Sequence, residues 1–207
     1  MTDSILLETF RNPSIDKRLT WYCPPTKWTV KESHLVIEPD AKTDYWQKTH
    51  YGFEADNGHF LFFSHESDVQ LTTKVIFWPA HQYDQAGLLI RYSPEFWIKT
   101  AVEYETEKES QLGAVVTNHG YSDWSTQSYP SKQNCISLRI RLKKGDVTVE
   151  YHSEDNADPA KAGWTQIRMA HLHRPLDMPL QCGLYACSPK GAGFKAEFSH
   201  LTAETID

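Results

Sequence analysis

Short runs in which apolar and polar residues alternate, separated by turn-forming residues, recur along this chain. A period of two sends successive side chains to opposite faces of a strand, so a chain patterned this way folds as sheets. The segments 35–37, 60–63, 69–75, 87–90, 98–105, 112–117, 136–142, 147–151, 164–169, 180–187 and 194–201 read as strands. Lys144-Gly145-Asp146 and Asp56-Asn57-Gly58 supply residues that tolerate positive φ between them. No long stretch holds a 3.6-residue period, and 155–163 has room for one helical turn. The pattern predicts an all-β, two-sheet antiparallel β-sandwich. With 207 residues, 40% hydrophobic, and no repeat, low-complexity run or linker, it predicts one domain over 1–207 whose core needs neither disulfide nor metal.

Charge and cysteine usage exclude several function classes. Lys+Arg 21 against Asp+Glu 27 gives a net charge of -6, which argues against nucleic acid as a partner, because that affinity rests on clustered basic charge. No apolar run is long enough to span a bilayer, so no membrane role is expected. The start, Met1 to Glu8, lacks a basic region and has only Ile5-Leu6-Leu7 in a row, unlike a signal peptide. A cytoplasmic location is the expectation, and with it four reduced thiols, Cys23, Cys135, Cys182 and Cys187. Cys182 and Cys187 are spaced too widely for a zinc knuckle and lack a second ligand pair. His171-x-His173 runs straight into Arg174-Pro175 with no carboxylate at ligand spacing, so solvated histidines are expected and neither metal nor cofactor.

Parity along two hairpins sorts the faces. In 135–143 the residues Ile136, Leu138, Ile140 and Leu142 share one side; pairing Leu142 with Val147 keeps Val149 and Tyr151 there too and sets Arg139 opposite Glu150. In 83–105, Leu88, Ile90, Tyr92, Ile98, Val102 and Tyr104 look inward. Pairing Arg91 with Trp97 then brings Gln85 opposite Glu103, and Gln85, Gly87, Arg91, Trp97, Lys99, Glu103 and Glu105 occupy the other face. Asp84 has inward parity and is expected to cap local structure.

That outer face is the candidate site. An Arg over a Trp ring, with Lys, Glu and Gln beside it, resembles a surface for hydroxyl-rich ligands. Trp 7, Tyr 10 and Phe 9 give 26 rings, 13% of the chain, more than a core of this size needs, so some are expected to be exposed. Trp46 and Trp124, in the segments 43–48 and 118–125, are expected in loops or at strand ends, with Asn118 and Asp123 as further rim candidates. The competing reading is structural: antiparallel sheets commonly wet one face, and Arg91, Lys99 and Glu103 then form an ion network under a loop.

The residues carry a resemblance. Thr43-Asp44-Tyr45-Trp46, Tyr83-Asp84-Gln85-Ala86-Gly87-Leu88, Glu95-Phe96-Trp97-Ile98-Lys99, Val102-Glu103-Tyr104, Val115-Val116-Thr117-Asn118 and Ser122-Asp123-Trp124-Ser125 occur in order. Together they resemble the "regulation of enolase" family within the concanavalin A-like lectin/glucanase superfamily, and also the sandwich domain appended to some xylan-degrading enzymes. The resemblance implies a jelly roll with a concave face that binds sugars in some relatives, and it hints at metabolic enzymes as partners. For activity it implies little, because the superfamily hosts both lectins and hydrolases.

Glu103 is the candidate acid/base or nucleophile. Glu103 and Glu105 stand two apart on one predicted face, roughly 6–7 Å along the strand, a tolerable spacing for glycoside hydrolysis. The Glu-x-Asp-x-Glu strand of the superfamily's glucanases is missing, however, and Lys99 beside Glu103 is expected to hold that carboxylate ionised, wrong for a general acid. No G-x-S-x-G elbow, Walker loop or H-E-x-x-H occurs. The residues therefore favour a lectin-like binding or regulatory module for a saccharide or sugar-like metabolite over a hydrolase using Glu103 or a regulator of a metabolic enzyme.

Overall fold

The computed structural model describes residues 4–153, 163–175 and 177–206. Its first half contributes β1 (Ser4–Glu8), β2 (Thr20–Tyr22), β3 (Lys27–Lys31), β4 (His34–Glu38), β5 (Tyr45–Trp46), β6 (Ala55–Asp56), β7 (His59–His65), β8 (Val69–Trp78) and β9 (Gln85–Ser93). The second half adds β10 (Phe96–Tyr104), β11 (Glu109–Asn118), β12 (Tyr121–Pro130), β13 (Cys135–Lys143), β14 (Asp146–His152), β15 (Thr165–His171), β16 (Leu180–Cys187), β17 (Lys195–Phe198) and β18 (Leu201–Thr205). No helix among the described residues is long and apolar enough to cross a membrane.

The strands form the predicted sandwich. One sheet runs β15-β14-β13-β8-β17-β4-β3, with β18 bridging β8 and β1; the other runs β12-β11-β10-β9-β16-β7-β2. All these pairings are antiparallel. Leu35, Leu71, Ile90, Ile98, Leu138, Ile140, Leu184 and Phe198, all fully buried, belong to the main hydrophobic core. Each contributes about 1.5–3 kcal/mol by leaving water. The registers match the parity argument: Leu142 faces Val147, Arg139 faces Glu150, Trp97 faces Arg91 and Glu103 faces Gln85. Lys144 and Gly145 do take positive φ, at 52° and 89°.

Burial patterns separate the two sheets. β8 and β13 alternate buried and half-buried positions, as a sheet with one wet face must. β9 and β16, and most of β10 and β11, are buried at nearly every position, so something covers the second face of their sheet.

Several expectations need correction. The segment 118–125 is, as expected, a strand end: it closes β11, turns at 119–120 and opens β12, whose length the pattern misses because, with only Ser122 and Tyr129 buried along it, this edge strand carries almost no apolar alternation to read. β1, β2, β3, β5 and β6 also escaped the pattern, because none of them alternates buried and exposed positions as the equally short β4 and β17 do. The single run expected over 194–201 is two strands, because after Phe198 the chain leaves β4 and resumes at Leu201 against β1 and β8. Asn57 and Gly58 link β6 to β7 without positive φ. The helical turn expected over 155–163 falls, up to residue 162, outside the described residues.

Candidate functional site

The cover on the seven-stranded sheet is the segment 40–58, which carries the β5/β6 pair. Beneath it lies a second core of Tyr45, Trp46, Phe60, Leu89, Trp97, Ala101, Val115, Tyr185 and Cys187. Tyr45 is fully buried and its hydroxyl donates to the Gly58 carbonyl at 2.7 Å. Gly58 is required here for close approach: a Cβ would sit 2.3 Å from the Tyr45 ring and 2.5 Å from Cys187 Sγ. The loop between β5 and β6 turns through left-handed backbone at Lys48, His50 and Gly52.

Arg91 pins this cover. Its Nη2 donates to Asp56 Oδ2 at 2.6 Å, its Nη1 donates to Gln181 Oε1 at 3.1 Å, and its guanidinium lies 4.7 Å from the Tyr22 ring centroid. Tyr22 closes the circuit by donating to Asp56 Oδ2 at 2.8 Å, and burial pushes its phenol up to about 12.

The cover stops short of the β11–β12 side, and a cleft opens there. One compartment, about 360 Å³, is lined by Asp44, Trp46, Tyr51, Phe53, Tyr83, Lys99, Glu103, Glu105, Val115, Trp124 and Lys190. A second, about 400 Å³, shares Trp46, Tyr51 and Trp124 and adds Thr49, His50, Ser122 and Asp123. Trp46 is oriented by donating from Nε1 to the Thr49 carbonyl at 2.8 Å, and Tyr51 meets it edge-on at 5.1 Å. Aromatic walls over a polar floor are the result.

The floor is a directional network. Lys99 Nζ and Tyr185 Oη both donate to Gln85 Oε1, at 2.9 and 3.0 Å, and Gln85 Nε2 donates to Glu103 Oε2 at 2.7 Å. Lys99 Nζ also reaches Asp44 Oδ1 at 3.5 Å. Burial pushes the Glu103 carboxyl up to about 8, with Asp44 and Glu105 adding to the rise; Lys99 and the Gln85 hydrogen bond oppose it and lose. The expectation that Lys99 holds Glu103 ionised is therefore overturned, since the ammonium is directed at Gln85 and Asp44.

The predicted site residues divide accordingly. Gln85, Lys99, Glu103, Trp46 and Trp124 meet at the cleft, and Asp123 stands at its outer compartment, paired with Arg168 at 2.8 Å. Trp97 and Arg91 do not. Trp97 is fully buried under the cover, its Nε1 donating to the Pro94 carbonyl at 2.9 Å, and the Arg91 cation lies over Tyr22 and not over Trp97. Asn118 instead clamps the strand end at 171–173, donating to the His171 carbonyl and accepting from His173 N, each at 2.8 Å. Asp84 caps as expected, accepting from the amides of Ala80 and His81 at 2.8 Å and from the Ser188 hydroxyl. All four cysteines are free thiols. His171 meets His173 edge-on and His173 meets His119 at a tilt, at 4.9 and 5.0 Å between ring centroids. Asp44, Tyr51, Phe53 and Lys190 escaped the sequence reading, because only the folding of 40–58 over β10 and the approach of 190 bring them to Glu103.

Residues 21–206 match the family described as "Protein of unknown function (DUF1349)". The chain belongs to this family. Regulation of enolase protein 1 of Saccharomyces cerevisiae is 33% identical over 188 residues, covering 89% of each chain. The crystal structure of a functionally unknown protein from the same yeast superposes with a TM-score of 0.80 at 30% identity, covering 92% of this chain and 97% of that one. Xylan beta-1,4-xylosidase from Bacillus halodurans C-125 shares the fold, with a TM-score of 0.73 at 17% identity, over 96% of this chain but 38% of its own length.

Proposed function

We propose that this chain is an intracellular lectin-like binding module whose cleft holds a saccharide or sugar-like metabolite between Trp46 and Trp124. The observation that carries the reading is the cleft itself: Trp46, 7% exposed at the edge of the second core, and the half-buried Trp124 line it together with Gln85, Lys99 and Glu103. Indole faces stack on the C–H faces of sugars, and convergent donors and acceptors fix hydroxyls, a combination suited to pockets of this size. The test is a titration of tryptophan fluorescence with neutral pentoses, hexoses and their disaccharides. Trp124→Ala, at a half-buried strand position, is expected to leave the fold intact and weaken binding about tenfold, equivalent to ~1.4 kcal/mol. Undiminished binding in that variant, or none in the wild type, contradicts the proposal.

A second reading has its own observation, a carboxyl raised to about 8 in the same cavity as Asp44. That is an acid paired with a second carboxylate, the equipment of glycoside hydrolysis. Turnover of aryl glycosides that disappears in Glu103→Gln supports it. The name of the yeast relative adds a metabolic enzyme as a third class of occupant. Co-elution with purified enolase at fixed stoichiometry tests that one.

A further inference from the structure

Rings line one edge of the cleft in a row. Along the rim of the cover, Tyr51 lies 5.1 Å from Trp46 and 6.3 Å from Phe53 between ring centroids, and Tyr51 and Phe53 are 53% and 45% exposed. Contiguous rings left in water, unlike scattered ones, mark a surface that something covers. Their spacing says what. A pyranose ring measures about 5 Å from its C1 oxygen to its C4 oxygen on bond lengths of about 1.5 Å, so a linear chain of sugars repeats at close to the interval of this row.

The cleft is also too long for one ring. Its two compartments, about 360 and 400 Å³, share Trp46, Tyr51 and Trp124 and therefore adjoin along one aromatic wall. Each alone reaches the lower end of the range of about 300–1,000 Å³ in which small ligands sit. Strand register gives the distance between their far ends. Asp123, in the outer compartment, stands opposite Val116, and Val116 opposite Ile98. Glu105, in the inner compartment, lies seven residues beyond Ile98 along β10 and its exit. At about 3.3 Å per residue the lining spans about 23 Å. Side chains leaning in from both ends shorten the open length, and three rings of about 5 Å still fit. β12 is the edge of its sheet, so no further strand walls the cleft on that side.

Resting on the saccharide reading, we infer that the cleft takes a chain: a linear, uncharged oligosaccharide of at least three units, and not a free monosaccharide or single-ring metabolite. One unit lies over the Gln85, Lys99 and Glu103 floor, one against Trp46 and Trp124, and one past His50 towards Asp123. The polar floor selects the hydroxyls of the first unit, and the shared aromatic wall holds the chain that leaves it.

The experiment is calorimetric titration of the wild type, His50→Gly and Phe53→Ala, each checked by thermal melting. The probes are β-1,4-linked xylose, β-1,4-linked glucose and α-1,4-linked glucose series of one to six units. In the series that binds, affinity is expected to rise about tenfold per unit from one to three units and to level off beyond about four. His50 lines the outer compartment and not the inner, on left-handed backbone (φ 63°) that glycine adopts freely; Phe53 lines the inner and not the outer. Each variant is expected to cost the trisaccharide about fivefold. A monosaccharide that binds as tightly as its own trisaccharide, or a trisaccharide affinity unmoved by His50→Gly, overturns the inference and leaves the saccharide reading standing. Failure of every series to bind overturns that reading and this inference with it.

Discussion

Arg91 and Glu103 stand on adjacent strands and on the same face of one sheet, yet their surroundings give them opposite tasks. Arg91 is 6% exposed, and its fork is filled by Asp56 and Gln181. Removing one member of a buried pair strands the other charge, so Arg91→Ala is expected to cost about 3–5 kcal/mol in a denaturant melt. Glu103 has a neighbouring lysine that does not reach it, and its folded-state carboxyl sits near 8 against an ordinary value of 4.5. A raised acid contributes stability that is fully present below the unfolded value and is lost as pH rises through the folded one. Wild-type Tm should therefore decline between pH 4.5 and pH 8 relative to Glu103→Gln, the gap widening until about pH 8 and levelling above it. Parallel curves for the two proteins would contradict the assigned environment.

At the level of elements, the two sheets were unequally legible. β8, β13 and β14 announce themselves because one face is wet and the alternation survives, and the Arg139–Glu150 pair at 2.7 Å follows from it. The 83–105 hairpin could be registered by parity alone, which placed Gln85, Lys99 and Glu103 together. What parity could not show is the cover. The segment 40–58 has no period, and its strands are two residues long. Its seat on β9, β10 and β16 is a tertiary event, and it turned Trp97 from an expected surface ring into a core residue. Most of the aromatic excess has the same explanation, since Tyr45, Trp46, Phe60, Trp97 and Tyr185 fill a second core. Gly58→Ala tests the seating. Its Cβ overlaps the Tyr45 ring and Cys187 Sγ, so a loss of about 1–3 kcal/mol is expected together with faster labelling of the Cys187 thiol by an aromatic disulfide reagent. An unchanged labelling rate would mean that the cover does not depend on that contact.

Taken whole, the molecule uses one sandwich face for two purposes. Under the cover, rings and an Arg–Asp pair build a second core that holds 40–58 in place; past its edge, the same sheet face presents Gln85, Lys99 and Glu103 between Trp46 and Trp124. The net charge of -6 is not concentrated in this cleft, where Lys99 and Lys190 offset Asp44 and Glu105. Such a site gains little from long-range steering and discriminates by contact, which suits an uncharged, hydroxyl-rich occupant. The most direct measurement is a crystal structure soaked with the tightest-binding neutral disaccharide. The account predicts a sugar ring between the Trp46 and Trp124 indoles, with one of its oxygens within hydrogen-bonding distance of the Glu103 carboxyl and the Gln85–Glu103 contact unchanged. An empty cleft at saturating sugar, or a sugar bound elsewhere on the sandwich, would contradict it.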